Sequence, residues 1–249
     1  MTPVAVRLRF HGNLAFFFHS ASSVERQLSE RTSVKDIIEA CGVPHTEVDL
    51  ILVNGQPADF GRVIGAETNI DIFPVEVNRI TSFPENRLQV LEIRKFVADG
   101  HLGKLVRDLR LLGIDVAYDR DADDRQLATL AAGQNRALLT RDRRLLMHSA
   151  VRHGYYLRSQ DPLKQTVEVL RRFDLGPVLA PFIRCLRCNA MLEPAAKEKV
   201  LGDLEPLTKI YYDQFRRCAG CGQVYWSGSH FEKLQKRIET IRSLLPSAA

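Results

Sequence analysis

The sequence predicts an α/β chain in three successive parts: a β-rich head, a parallel sheet flanked by helices, and a four-cysteine tail. Three observations carry this expectation. Residues 1–78 alternate apolar and polar positions around one helical pattern, residues 93–180 repeat strand and helix signals in turn, and residues 181–249 hold two C-x₂-C pairs. Residues 79–92 read as the linker between head and middle.

In the head, "VAVRLRF" has the two-residue period of a half-buried strand. The apolar run from Leu14 to Phe18 reads as a further strand. "SVKDIIEACG" reads as a helix capped by Ser33, with Val34, Ile37 and Ile38 on one face and Gly42 at its end. "DLILVNGQPAD" follows, and Asn54-Gly55 is a hairpin-turn signal. "TNIDIFPV" supplies the last strand. A hairpin, a helix and then more strands is the order of a β-grasp fold.

Composition is ordinary for a globular protein: 249 residues, 45% hydrophobic and 26% charged. No apolar run approaches the roughly 20 residues that span a bilayer. The first residues lack the pattern of an export signal, so a cytoplasmic location is expected. Charge is unevenly spread. Residues 1–78 carry 6 Lys+Arg against 10 Asp+Glu, while the rest carries 29 against 20. A basic body on an acidic head suggests that the body meets a polyanion and the head does not, with solvated surface charge as the alternative.

The middle opens at "NRITSFPEN", whose Pro84 and Asn86 mark a turn. "LEIRKFVAD" reads as a strand ending at Asp99. "HLGKLVRDLRLLG" sets Leu102, Leu105, Val106, Leu109 and Leu112 at helical spacing, and Gly113 stops it. "IDVAY" is a second strand, "DRDADD" an acidic turn, "RQLATLAAG" a helix, "RALLT" a third strand, and "RDRRLLMHSA" begins a third helix. Strands alternating with helices imply parallel pairing.

Ligands of such sheets collect beyond the carboxyl ends of the strands. Asp99, the pair Asp123 and Asp124, and Asp142 all fall there. Converging carboxylates repel one another unless a hard dication such as Mg²⁺ or Mn²⁺ lies among them. Any one of these acids could instead cap the helix that follows it. Arg107 and Arg110, three apart on a helix, and Arg141, Arg143 and Arg144 around Asp142 are candidates for holding phosphates.

In the tail, "CLRC" and "CAGC" stand 29 residues apart. Cys185, Cys188, Cys218 and Cys221 supply the four thiolates of a tetrahedral Zn²⁺ site with a structural role, in a zinc ribbon. Arg184, Arg187, Arg216 and Arg217, with Tyr225 and Trp226, could offer a surface to single-stranded nucleic acid, or Trp226 could pack the ribbon against its neighbour. Cys41 reads as a small core residue. "HFEKLQKRIETIRSLL" closes the chain as a basic amphipathic helix.

Two resemblances bear on function. "LILVNGQPAD" and "TNIDIFPVEV" resemble the ubiquitin-like sulfur-carrier proteins, which end in a free Gly-Gly. Here the strand runs on through Pro74, Val75 and Glu76, so carrier chemistry is not expected; a role in docking a protein partner or orienting substrate is. "FVADGHLGKLVRDLRLLGIDV", "DADDRQLATLA", "RALLTRDRRLL", "YYLRS", "APFIRCLRCNAML" and "FRRCAGCGQVYWSGSHFEKL" resemble the PIN-like ribonuclease family named for the carboxy-terminal region of the worm mutator protein Mut-seven. That resemblance covers most of residues 93–234, and the family often carries a ubiquitin-like segment before it. It implies a PIN-like sheet and a metal-dependent ribonuclease, with Asp99, Asp124 and Asp142 as Mg²⁺ or Mn²⁺ ligands and RNA as substrate. Position 108, often aromatic in the family, is Asp here, and Asp161 is a weak candidate for the fourth acid that PIN-type sites often have. The rival expectation is a non-catalytic RNA-binding adaptor docked through head and ribbon. A phosphotransferase with an aspartyl nucleophile fits less well, because Asp99-Gly100-His101 lacks the D-x-D strand end.

Overall fold

The protein is described by a computed structural model covering residues 3–18, 23–78, 83–90 and 92–245. In the head, β1 (Val4–Phe10) buries Val6, Leu8 and Phe10 and turns the intervening residues outward. It pairs antiparallel with β2 (Ser23–Leu28). A short strand β3 (Thr32–Ser33) leads into α1 (Val34–Ala40), where the Ser33 hydroxyl oxygen accepts from the Asp36 N–H at 3.2 Å. Strands β4 (Val48–Val53) and β5 (Gln56–Ala58) form the hairpin. At its turn Asn54 and Gly55 take φ of 49° and 79°, the left-handed pair that a tight hairpin of this kind requires. Strand β6 (Val63–Ile64) pairs with β3, and β7 (Thr68–Pro74) runs parallel to β1 and antiparallel to β4. The order β2-β1-β7-β4-β5, with a parallel pair at its heart and α1 across it, is a ubiquitin-like β-grasp.

The segment expected as a strand over residues 14–18 is a 3₁₀ helix, Gly12–Phe17. Its buried residues are Leu14 and Phe17, three apart, which matches three residues per turn rather than the alternation of a strand. After β7 the chain enters α2 (Val75–Asn78). Of the linker read over 79–92, residues 79–82 and 91 lie outside the described residues. The described part is tied down: Leu88 N–H donates to Asp49 O at 2.8 Å, Gln89 N–H donates to the Asp49 carboxylate at 2.9 Å, and the Gln89 side chain reaches His45 O and Val48 O.

The middle contains β8 (Lys95–Ala98), α3 (Gly103–Leu111), β9 (Asp115–Tyr118), α4 (Asp124–Gly133), β10 (Ala137–Thr140), α5 (Arg143–Leu146), β11 (Gly154–Tyr156) and α6 (Pro162–Arg172). β8 pairs parallel with β9, and β10 parallel with β11. Phe96 to Ala98 and Ala137 to Thr140 are buried without alternation, as expected of parallel strands covered on both faces. The first strand is shorter than expected, beginning at Lys95, and the third helix ends at Leu146. The tail adds β12 (Leu192–Ala195), α7 (Lys197–Val200), α8 (Pro206–Tyr211), β13 (Phe215–Cys218), β14 (Val224–Trp226) and α9 (Ser229–Ser243), with β12-β13-β14 an antiparallel sheet.

These elements form two compact units, Met1–Ile93 with Asp123–Tyr156, and Arg94–Ala122 with Leu157–Ala249. The stretch 93–180 is therefore shared between them. Inside the first unit, Glu47 accepts from Tyr156 N–H at 2.6 Å, and His45 meets Glu39 at 2.7 Å and Val151 O at 2.8 Å. Inside the second, the Arg237 guanidinium of α9 donates to both oxygens of Asp108 on α3, and Thr166 of α6 donates to the same carboxylate at 3.4 Å. That pairing accounts for a carboxylate at position 108, which ties α3 to α6 and α9. It also raises the Arg237 pKa, chiefly through the hydrogen bond to Asp108.

Candidate metal centres

The two C-x₂-C segments fold as near copies of one another. Cys185 N–H donates to Ala190 O at 2.8 Å, and Asn189 N–H donates to Cys185 O at 3.0 Å. Cys218 N–H donates to Gln223 O at 2.9 Å, and Gly222 N–H to Cys218 O at 3.1 Å. The fifth residue of each turn has a positive φ, 75° at Asn189 and 73° at Gly222. The Gly220 and Cys221 N–H groups also point at the Cys218 Sγ, both at 3.4 Å. These are metal knuckles in shape, with amides aimed at a thiolate.

All four sulfurs lie within 4.8 Å of one another, with Sγ–Sγ distances of 3.6 Å for Cys185 to Cys221 and 3.3 Å for Cys188 to Cys218. A tetrahedron with zinc–sulfur bonds near 2.3 Å has edges of about 3.8 Å, so the donor set fits zinc in number, softness and span. Tyr225 completes the surroundings. Its hydroxyl lies 3.1 Å from the Cys185 Sγ and accepts from Leu186 N–H at 3.2 Å. Burial pushes the Cys185 thiol up, but hydrogen bonds from Tyr225 and from the Cys188 and Arg187 backbones outweigh it and bring the pKa to about 6. Burial, then the Cys185 bond, pushes the Tyr225 phenol upward. Tyr225, a candidate for stacking on nucleic acid by its sequence, spends its hydroxyl on this cysteine cluster. Nothing in its spacing from the cysteines marks it as their hydrogen-bond partner.

The aspartates divide by what their oxygens do. Asp99 heads the 3₁₀ turn Gly100–Leu102 after β8, is half-buried, and makes no side-chain cap bond. Asp123 is the cap of α4: it accepts from Gln126 N–H at 2.8 Å, and the Gln126 side chain accepts from Asp123 N–H at 2.9 Å. Asp124 sits one residue later, in the first turn of α4, exposed. Asp142 caps α5, but both of its bonds, from Arg144 N–H at 2.7 Å and Leu145 N–H at 3.3 Å, fall on Oδ1. A carboxylate has four lone-pair positions, so capping with one oxygen is compatible with ligation by the other. Asp161 caps α6 through Lys164 N–H at 2.9 Å, with Pro162 as the first helical residue. Asp99 belongs to the second compact unit, and Asp124 and Asp142 to the first.

The family model described as the Mut7-C RNAse domain matches residues 94–238, more than half of the chain. The chain belongs to that family. A second model, described as Mut7-C ubiquitin, matches residues 3–80, the β-grasp head. Among solved structures, the H. volcanii small archaeal modifier protein 1 is similar at 19% identity, over 28% of this chain and 97% of that one, with a TM-score of 0.25. A protein of Pyrococcus furiosus assigned as molybdopterin converting factor subunit 1 is similar at 20% identity over the same shares, also at 0.25. No curated protein matches the chain. Among the described residues no helix is long and apolar enough to cross a membrane.

In this Mut7-C chain the candidate phosphate-binding arginines part company. Arg107 is exposed on α3, whereas Arg110 is only 3% exposed. Arg110 donates from Nε and Nη2 to Val116 O at 3.1 and 2.9 Å, and from Nη1 to Arg187 O at 2.7 Å and Leu186 O at 3.3 Å. Its expected role in holding RNA is therefore corrected: the guanidinium is spent on protein carbonyls. Burial lowers its pKa, against the raising influence of Cys188, Cys185 and Asp115. Arg143 is also engaged, lying 4.9 Å from the Phe17 ring centroid and 5.7 Å from that of Tyr156, and donating to Phe17 O at 3.3 Å. Arg141 and Arg144 are exposed. The ribbon arginines are likewise occupied: Arg184 with Gly113 O and Asn189 O, Arg187 with the Gln223 side chain, Arg216 with Phe182 O, and Arg217 with Lys199 O and Asp203. Helical spacing could place Arg107 and Arg110 on one side, but not foretell that a strand and a knuckle would cover one of them.

Proposed function

We propose that this protein is a divalent-metal-dependent ribonuclease that hydrolyses RNA phosphodiester bonds, with Asp99, Asp124 and Asp142 as ligands of Mg²⁺ or Mn²⁺. The observation that supports it most is the ribonuclease-family match across 94–238, which spans all three acids. The donor chemistry agrees: carboxylate oxygens suit a hard dication, Asp124 is exposed, and Asp142 keeps Oδ2 clear of its cap bonds. A bound dication neutralises charge on the phosphoryl oxygens and eases deprotonation of water. Asp99, Asp124 and Asp142 would hold the ion, and Arg107, Arg141 and Arg144 would contact the backbone phosphates. Hydrolysis adds water across one P–O bond of the substrate. The four cysteines hold a structural Zn²⁺, and the acidic head docks a protein partner in the cytoplasm. The test is cleavage of RNA with Mn²⁺ or Mg²⁺ by the parent and by Asp99→Asn and Asp142→Asn. Each substitution should lower the rate about 100-fold or more, the scale of losing one key electrostatic group. Equal rates in variants and parent overturn the reading.

A further inference from the structure

One short strand lies between the first zinc knuckle and the turn that carries Asp99. At Val116, β9 turns its N–H and C=O away from the strand axis toward side chains. The N–H donates to the Asn189 side-chain oxygen at 3.1 Å, and the C=O accepts from Arg110. Asn189 also donates through Nδ2 to the Asp115 carboxylate at 2.9 Å. Arg110 in turn donates to the carbonyls of Leu186 and Arg187, the two residues between Cys185 and Cys188. The knuckle's Asn189 thus gives the β9 backbone an acceptor, and Arg110 of α3 gives it a donor while tying two knuckle carbonyls to the same strand.

At its other end the same strand holds the acid's turn. The Tyr118 hydroxyl donates to Gly100 O at 2.7 Å, and Leu102 N–H donates to Asp99 O at 3.0 Å. Packing there leaves no slack. A side chain at Gly100 would collide with the Arg120 carbonyl, and a Cβ at Gly103 would stand 3.0 Å from the Tyr118 hydroxyl. Every one of these residues lies within the second compact unit.

We propose that Tyr118 is a positioning residue for Asp99, and that the first zinc knuckle, through Asn189 and Arg110, anchors the strand that presents it. The four-cysteine site then regulates the acid: a chain whose knuckle is folded holds Asp99 in place, and one whose knuckle is loose does not. This rests on the reading of Asp99 as a ligand of the ribonuclease metal.

Two variants test it in the full-length, zinc-loaded protein. Tyr118→Phe keeps the ring and removes the hydroxyl. Asn189→Gly removes the amide while keeping a residue at ease with the positive φ of that position. Hydrogen–deuterium exchange is followed in a peptide covering residues 98–105, with peptides from β1 and β7 of the head as controls. Both variants should exchange about fivefold faster over 100–103, the effect of losing one net hydrogen bond, while the controls stay unchanged. The Mn²⁺ concentration for half-maximal cleavage should rise more than the rate at saturating Mn²⁺ falls, a split that general destabilisation does not produce. Zinc content should stay at the parent's level in Tyr118→Phe. Unchanged exchange over 100–103 in both variants overturns the proposal, whatever cleavage does. If exchange quickens but Asp99→Asn cleaves RNA like the parent, the strand linkage stands and the ribonuclease reading falls.

Discussion

The four cysteines and the strand-end aspartates were both marked by position along the chain, and they fared differently. The thiols form one cluster with all sulfurs in mutual reach. The aspartates divide by local duty: Asp123, Asp142 and Asp161 each cap a helix through Oδ1, whereas Asp99 makes no cap bond and Asp124 lies in the first turn of α4. The difference comes from chemistry. A C-x₂-C turn has few uses other than metal or redox work in a chain of this kind, whereas Asp is the preferred opening residue of any helix. Spacing alone can therefore identify the knuckles, but the acids need their individual hydrogen bonds.

Removing the metal should sharpen that contrast most. Treatment with a strong chelator, or the Cys185→Ser and Cys218→Ser variants, should abolish ordered structure in β12–β14, because binding at structural sites carries about 10 kcal/mol or more of folding free energy. Zinc content and amide exchange of the ribbon measure it. A ribbon that keeps its protection without metal would break the assignment of the cysteines.

Arg110→Ala should come next, costing the second unit about 3 kcal/mol, since it strips the donor from the carbonyl of buried Val116 and from those of Leu186 and Arg187. Urea denaturation reads this directly. Arg107→Ala, three residues away and exposed, should leave the midpoint unchanged.

The adjacent acids Asp123 and Asp124 offer a smaller but more discriminating comparison. Asp123→Ala should lose about 1 kcal/mol of stability with cleavage retained, as befits a cap. Asp124→Asn should do the reverse. Loss of cleavage in the first with retention in the second would exchange their roles. The smallest effect is expected for Arg144→Ala: unaltered stability, weaker RNA binding, and a salt dependence of binding reduced by about 0.7 to 0.9 in log–log slope.

Much of the fold could be read in advance because the signals were short-range. The alternation in β1, Ser33 before α1 and Asn54-Gly55 in the hairpin each act within a few residues, and each appears in the structure as expected. The apolar run Leu14–Phe18 suits a strand or a 3₁₀ turn equally well, and most of it lies in the 3₁₀ helix Gly12–Phe17. In the candidate site, what escaped was set by residues far apart in sequence. Arg110 is buried by a knuckle more than 70 residues later, Asn189 meets β9, and Tyr225 meets Cys185. No local pattern encodes such meetings.

The division of the chain into interleaved units has a consequence for synthesis. The β-grasp strands are complete at Pro74, yet the compact unit to which they belong also takes in residues 123–156. At elongation rates of about 5 to 20 residues per second, the head therefore emerges from the ribosome several seconds before the segment that completes its unit. During that interval Glu47, Phe17 and His45 have none of the later contacts with Tyr156, Arg143 and Val151. The nascent head is a surface waiting for its own downstream chain, and a stop codon placed near residue 90 would leave it waiting permanently.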